Sequence, residues 1–291
     1  MHGHHKQIAV LYHGGCPDGF GAAYAAWKKF GDSATYIPVS YGESIPEELD
    51  GKEVYIVDFC YESPERMSML AKSTKRLVVL DHHKSNRARV ESAPEHVYDA
   101  NRSGAGIAWD FFHPNTPRPR LIEHLEDDDL YRFKLPETKA VVIYLGVNPH
   151  NFEKWDSFAT RLENQTTRIE LMNDLRKYEE YFEILAQHAA AQAKMVSFEG
   201  YECFFANTHP FISMRSRVGV ILVEKKPPIA LIASAHPKGY GVSLRSNGTV
   251  DVSELAKKYG GGGHSQSAGF GIEWGQPLPW IFLEDDLPAD K

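Results

Sequence analysis

The chain has 291 residues, 42% of them hydrophobic and 24% charged, which excludes a disordered polypeptide and leaves room for one large domain or two of about 150 residues each. A formal net charge of −7 excludes the broad basic surface that holds long nucleic acid or an extended duplex, so any anionic substrate has to be held locally. Cys16, Cys60 and Cys203 show no paired-thiol spacing, which points to a reducing, cytoplasmic setting, and no apolar run approaches the ~20 residues of a membrane span or the core of a signal peptide.

In chain order, Met1-His2-Gly3-His4-His5 reads as a frayed polar end or a tag remnant rather than a metal site. Ile8 to Tyr12 is a buried strand; a Gly-rich turn follows, then an Ala-rich helix over Gly21 to Phe30. Val54 to Val57 and Leu77 to Leu80 are two more strands, and Ser63-Pro64-Glu65 starts the helix between them as a cap with a first-turn proline. Ser103-Gly104-Ala105 opens a helix through Phe112, and Leu121 to Leu125 forms another that runs into Asp127-Asp128-Asp129. Thr166 to about Ala193 is free of Gly and Pro and reads as a long connecting helix. The pattern then turns β-rich at Cys203 to Ala206, Ile229 to Ala233 and Gly241 to Arg245, followed by a helix over Val252 to Tyr259 and by Gly260-Gly261-Gly262-Gly263-His264. The acidic tail after Trp280 reads as solvated. The expected fold is α/β: a parallel-sheet domain over 1–165, a connecting helix over 166–194 and a smaller α/β domain over 195–291.

Ligands of open parallel sheets collect beyond the carboxyl ends of the strands. Those ends carry His13, Asp18, Asp58, Asp81, His82 and His83. Taken singly, Asp58 can be a helix cap, His82 a satisfied loop histidine and Asp127 part of a solvated acidic run. Three successive strands each ending in Asp or His make a divalent-metal site the better account, since Mn²⁺ and Mg²⁺ take carboxylate oxygens and Mn²⁺ accepts imidazole. Four consecutive glycines can bring backbone N–H groups close to a phosphate or can simply form a flexible loop, and His264-Ser265-Gln266-Ser267 adds donors beside them. Arg245 is a candidate bidentate phosphate clamp. A dinucleotide-binding reading of the first turn fails, because His13 to Gly21 lacks the Gly-x-Gly-x-x-Gly order.

Asp81-His82-His83 after an apolar strand, Asp58 on the preceding strand and Gly261-Gly262-Gly263-His264 near the C-terminus together resemble the DHH phosphoesterase superfamily with its DHH-associated C-terminal domain. The resemblance runs from Val10 to Phe270 and implies roles by position. His13, Asp18, Asp58, His82 and Asp127 would be metal ligands, with Asp58 bridging; Asp128 or Asp129 replaces Asp127 if the register shifts. His83 would face the phosphate, with Asp81 supporting it. Arg245, Gly261, Gly262, Gly263 and His264 would hold the substrate phosphate or terminal nucleotide. The implied cofactor is Mn²⁺, or Mg²⁺ or Co²⁺, as one or two ions that activate water and neutralise charge on phosphorus.

Cys16 departs from the pattern, because an Asp is usual there and the spacing from His13 is altered. A weakened second metal site is the leading expectation, a different metal or a Cys16 that only packs are the others, and Cys16 as a ligand ranks last. The implied activity is hydrolysis of phosphodiester or phosphomonoester bonds in short oligonucleotides or cyclic nucleotides, exonuclease action included. An exopolyphosphatase- or pyrophosphatase-like activity and a non-catalytic nucleic-acid-binding scaffold are the alternatives. Tyr240, Phe270 and Trp274 either stack on a base or belong to the core.

Overall fold

The first apolar run forms β1 (Ile8–His13), the hub of a five-stranded parallel sheet in the computed structural model, which describes residues 6–40, 42–148 and 150–283. Then come α1 (Pro17–Phe30), β2 (Ala34–Val39), β3 (Glu53–Val57), α2 (Pro64–Ser73), β4 (Arg76–Asp81), α3 (Arg87–Glu91) and β5 (Glu95–Tyr98). Helices α4 (Gly104–Phe112), α5 (Arg120–Asp129), α6 (Thr138–Val147), α7 (Phe152–Glu163) and α8 (Gln165–Ala191) complete this part. The chain divides into two units, 1–177 and 178–291, with the boundary inside α8.

In the first unit the strand order is β2-β1-β3-β4-β5, every pairing parallel. Successive side chains of a strand point to opposite faces, so Val10, Tyr12, Tyr55, Val57, Val78 and Leu80 join one apolar cluster with residues of α1, α4 and α5. Their neighbours Ala9, Leu11, Val54, Ile56, Leu77 and Val79 join another with Met67 and Leu70 of α2 and Val90 of α3. Burial on both faces is why these strands read as continuous apolar runs. The chain leaves β1 toward β2 on one side and returns to β3 on the other, and this reversal opens a crevice at the carboxyl ends of β1 and β3.

Several elements differ from expectation. Helix α1 starts at Pro17, with Cys16 as its N-cap residue and proline at the first position, so Asp18 lies in the first helical turn rather than in a Gly-rich loop. β2 and β5 are edge strands; β2 carries Pro38 and β5 is four residues long and mostly exposed, which blurs their signal. Helix α6 is apolar almost all round and lacks the amphipathic period that marks a surface helix.

The second unit holds β6 (Lys194–Phe198), β7 (Tyr201–Asn207), α9 (Ile212–Lys225), β8 (Ile229–His236), β9 (Gly239–Ser246), α10 (Val252–Lys257), β10 (Gly262–His264), β11 (Ser267–Glu273) and β12 (Ile281–Phe282). They form a mixed sheet of order β10-β11-β9-β8-β7-β6-β12, in which β7 and β8 are parallel and joined through α9. The glycine run is not an open loop throughout: β10 pairs antiparallel with β11, and a Cβ on Gly263 would fall 2.6 Å from the Ser267 carbonyl oxygen. The start of the tail after Trp280 is likewise ordered, as β12 pairs with β6. The His-rich start at 1–5 and residues 284–291 lie outside the described residues. No helix among the described residues is long and apolar enough to cross a membrane.

Trp155 of α7 anchors the first unit's larger cluster, 1% exposed, with its ring edge-on to Phe20 at 4.8 Å and its indole N–H without a hydrogen bond. Trp155→Ala is expected to cost about 3–5 kcal/mol and Trp155→Phe under about 1.5 kcal/mol, read from urea denaturation curves.

Candidate metal centre

The crevice brings three strand ends together. β1 ends at His13, and three residues later Cys16 caps α1, which carries Asp18 in its first turn. β3 delivers Asp58, and β4 delivers Asp81 followed by His82 and His83. Asp58 adopts a left-handed backbone (φ 62°) with its N–H donating to the Leu80 carbonyl at 2.8 Å. Its carboxylate abuts the start of α4, where a Cβ on Gly104 would fall 2.4 Å from Asp58 Oδ1, so only glycine fits. Asp58 Oδ1 lies 3.2 Å from His82 Nε2 and Oδ2 lies 3.4 Å from His13 Nδ1. The residue is 1% exposed, and neither carboxylate oxygen makes a hydrogen bond.

On the Oδ1 side, His82 Nε2 also lies 3.6 Å from Asp129 Oδ2 and 4.0 Å from Asp18 Oδ2. Asp18 is held by the N-terminus of α4, accepting from the Gly104 N–H at 2.6 Å and the Ala105 N–H at 3.1 Å. Burial, then the neighbouring Asp129 and Asp58 charges, push the Asp18 carboxyl well up. Burial also raises Asp129, against the lowering effect of His82. For Asp58 burial acts upward, but nearby His13, His82 and His83 outweigh it and the net shift is down. Burial lowers His82, yet Asp58, Asp129 and Asp18 carry it up to about 10. Carboxylates crowded around one imidazole in low dielectric call for a cation.

Asp81 has a different task. Its Oδ1 accepts from the His82 N–H at 2.7 Å, the His83 N–H at 3.1 Å and the His83 ring Nδ1 at 2.7 Å, and Oδ2 accepts from Asn86 Nδ2 at 2.7 Å. Arg89 in turn donates to Asn86 Oδ1. The fully buried Asp81 therefore orients His83 and fixes its Nδ1–H tautomer. His83 is raised: burial acts downward, and the hydrogen bond and charge of Asp81 more than offset it.

Asp127 is not in this group. Its oxygens accept from Lys134 N–H at 2.8 Å, Leu135 N–H at 3.0 Å and Thr138 Oγ1 at 2.6 Å, tying the loop before α6 to α5. Asp129 takes the place expected of Asp127, because two positions along a helix rotate a side chain by about 200°. Among the described residues, three groups have ligand atoms within 4.8 Å of one another: His13, Cys16 and Asp58; Asp18, His82 and Asp129; and Asp58, Asp81, His82 and His83. The buried carboxylate oxygens of Asp58 and Asp129 without hydrogen bonds and the mixed carboxylate–imidazole set fit a divalent cation. The α4 amides that seat Asp18 read only as a helix start in the sequence, and Asn86 carries no sequence signal of its role.

In the second unit Arg245 is 8% exposed and donates to the Leu244 carbonyl at 2.9 Å and to Ser216 Oγ at 2.5 Å. Sheet register sets Arg245 opposite Ser267 and Ser267 opposite the exposed His264, one row across three strands. Gly261 and Gly262 lead into this hairpin. Phe270 is core, stacked on Tyr259, whereas the half-exposed Trp274 meets Tyr240 edge-on at 4.8 Å.

Residues 212–278 match the DHHA1 domain family. The chain is 28% identical to an uncharacterized protein of Acanthamoeba polyphaga mimivirus, over 97% of this chain and 69% of that one. Among solved structures, the DHH domain of a member of the s1p family of ribosomal proteins matches with TM-score 0.59 at 13% identity, covering 96% of this chain and 83% of its own. RecJ from Thermus thermophilus, in complex with Mn²⁺, matches with TM-score 0.51 at 14% identity, covering 91% and 49%. The pGpG-specific phosphodiesterase PggH from Vibrio cholerae matches with TM-score 0.50 at 14% identity, covering 92% and 94%. Residues 212–278 thus carry a DHHA1 domain, and the chain shares the fold of the DHH-domain structure.

Asp127→Asn is expected to lower thermal stability by about 1–3 kcal/mol while leaving stabilisation by Mn²⁺ intact; Asp129→Asn is expected to do the reverse, read from melting curves with and without the ion. The Asp127 network also sets an acid limit. Thr138 Oγ1 donates to Asp127 and so accepts from His124 Nδ1, 3.0 Å away, and burial holds the His124 imidazole down to about 4. The unfolded chain binds this proton first, so His124 contributes stability above pH ~6.5 that is lost as pH falls toward ~4, on the order of 3 kcal/mol. His124→Gln is expected to flatten that part of the stability–pH curve.

Proposed function

We propose that the chain is a metal-dependent phosphoesterase, cytoplasmic, that hydrolyses phosphodiester or phosphomonoester bonds of short oligonucleotides or cyclic nucleotides. The observation that carries this reading is Asp58: one buried carboxylate presents its two oxygens to two different ligand groups, as a bridging ligand requires. Asp18, His82 and Asp129 would hold one ion and His13 and Asp58 the other, with Mn²⁺ the preferred ion and Mg²⁺ or Co²⁺ as substitutes. Bound ions would supply a water nucleophile at neutral pH and neutralise charge on the phosphoryl oxygens.

The chain's own groups do the rest. Asp18 stays in place because α4 donates two N–H bonds to it. His83, held through Nδ1 by Asp81, whose hydrogen bond and charge raise it above its ordinary range, would face the phosphate where charge develops on the phosphoryl oxygens. Arg245, Gly261, Gly262, Gly263 and His264 are proposed to hold the substrate's phosphate or terminal nucleotide. Retention of the carboxylate–imidazole set favours this over a scaffold role, and the net charge of −7 favours short substrates over polyphosphate chains.

Asp58→Asn is expected to lower the rate by at least about a hundredfold on dinucleotide or cyclic-nucleotide substrates with the fold intact by circular dichroism. Full activity in that variant would overturn the proposal. A panel with Mn²⁺, Mg²⁺ and Co²⁺ over dinucleotides, cyclic nucleotides, bisphosphates and polyphosphate separates the substrate classes. Turnover of polyphosphate alone would favour the exopolyphosphatase reading.

A further inference from the structure

Cys16 stands where a hard oxygen ligand is expected, and the fold delivers it to the metal centre all the same. A ring nitrogen of His13, Sγ of Cys16 and a carboxylate oxygen of Asp58 lie within 4.8 Å of one another. Local geometry explains the convergence. β1 ends at His13, the chain turns, and Cys16 takes an extended conformation (φ −117°, ψ 133°) as the residue before α1, with its carbonyl accepting the Phe20 N–H at 3.0 Å. That hydrogen bond fixes the backbone of Cys16 at the mouth of α1.

Asp58 supplies an independent observation. Its Oδ2 is buried with no hydrogen bond of good geometry, His13 Nδ1 lying 3.4 Å away, which leaves room for a cation to be shared between the two. Nitrogen, sulfur and oxygen donors converging from two loops are a poor match for Mn²⁺ or Mg²⁺, which prefer oxygen. They match a borderline ion held by three protein ligands with one position open, the arrangement of catalytic zinc. Cys60 lies in the apolar cluster beneath the sheet and Cys203 in the core of the second unit, and neither belongs to a ligand group among the described residues.

We propose that His13, Cys16 and Asp58 form a thiolate site for a zinc-type divalent ion, chemically distinct from the set Asp18, His82 and Asp129, so that the centre holds two different metals. This rests on the metal-centre reading above and narrows it to a mixed-metal one. On binding, the thiol proton leaves to solvent and Cys16 joins the ion as thiolate.

Metal-stripped protein titrated with Co²⁺ is expected to develop near-ultraviolet thiolate-to-cobalt absorption, which imidazole and carboxylate ligands alone do not produce. Cys16→Ser is expected to lack the band and to keep its thermal stabilisation by Mn²⁺. Cys16→Asp, which restores a hard donor, is expected to lose one zinc and gain one manganese per chain by elemental analysis after equilibration with both ions. A band absent from the parent chain, or one that persists in Cys16→Ser, overturns the thiolate site. Mn²⁺ stabilisation without any band would remove this inference and leave the metal-centre reading standing. Stabilisation by no divalent ion would remove both.

Discussion

The first unit depends on burying several carboxylates in one place. Asp18, Asp58 and Asp129 surround His82 at 3.2–4.0 Å, and Asp58 and Asp18 are almost wholly excluded from water. At an effective dielectric near 20, two like charges about 4 Å apart would repel by about 4 kcal/mol. The protein answers part of this with dipoles: the N-terminus of α4 gives two N–H groups to Asp18. Another part is answered by imidazoles. The oxygens of Asp58 that remain without hydrogen bonds are where a divalent cation could answer the rest.

The same demand explains the strain around Asp58. A non-glycine residue at φ 62° is disfavoured, and the surrounding structure has to over-determine it. Two features do so: the Asp58 N–H is tied to Leu80 of the adjacent strand, and Gly104 clears the space its carboxylate fills. Position 104 therefore serves two masters, admitting Asp58 and lending its own N–H to Asp18. Any side chain there would displace both acids at once.

How much of this is legible in the sequence follows from the range of each interaction. The three central strands are apolar runs because both sheet faces are covered, and their polar ends stand out by contrast; hence His13, Asp58, Asp81, His82 and His83 are visible in the sequence alone. The edge strands β2 and β5 carry no such contrast. Asp18 is visible as a residue, but its seat on α4, more than 80 positions away, is a tertiary fact. In the second unit the glycine run is plain in the sequence, whereas its role as a β-strand packed on β11 appears only when the facing carbonyls are in place.

The acidic run at the end of α5 shows why composition alone misassigns ligands. Glu126, Asp127 and Asp129 look interchangeable in the sequence, yet helical rotation sends them to three partners. Glu126 turns to Arg102, Arg118 and Arg132, binding the α4 and α5 ends together. Asp127 caps the loop into α6 through two backbone N–H groups and Thr138. Only Asp129 reaches His82. The first two are neutralised by donors of the fold itself, so neither has an oxygen to spare for an ion. Asp129 Oδ2 is buried with no hydrogen bond, and that unmet electrostatic demand, rather than its place in an acidic motif, is what makes it the ligand candidate.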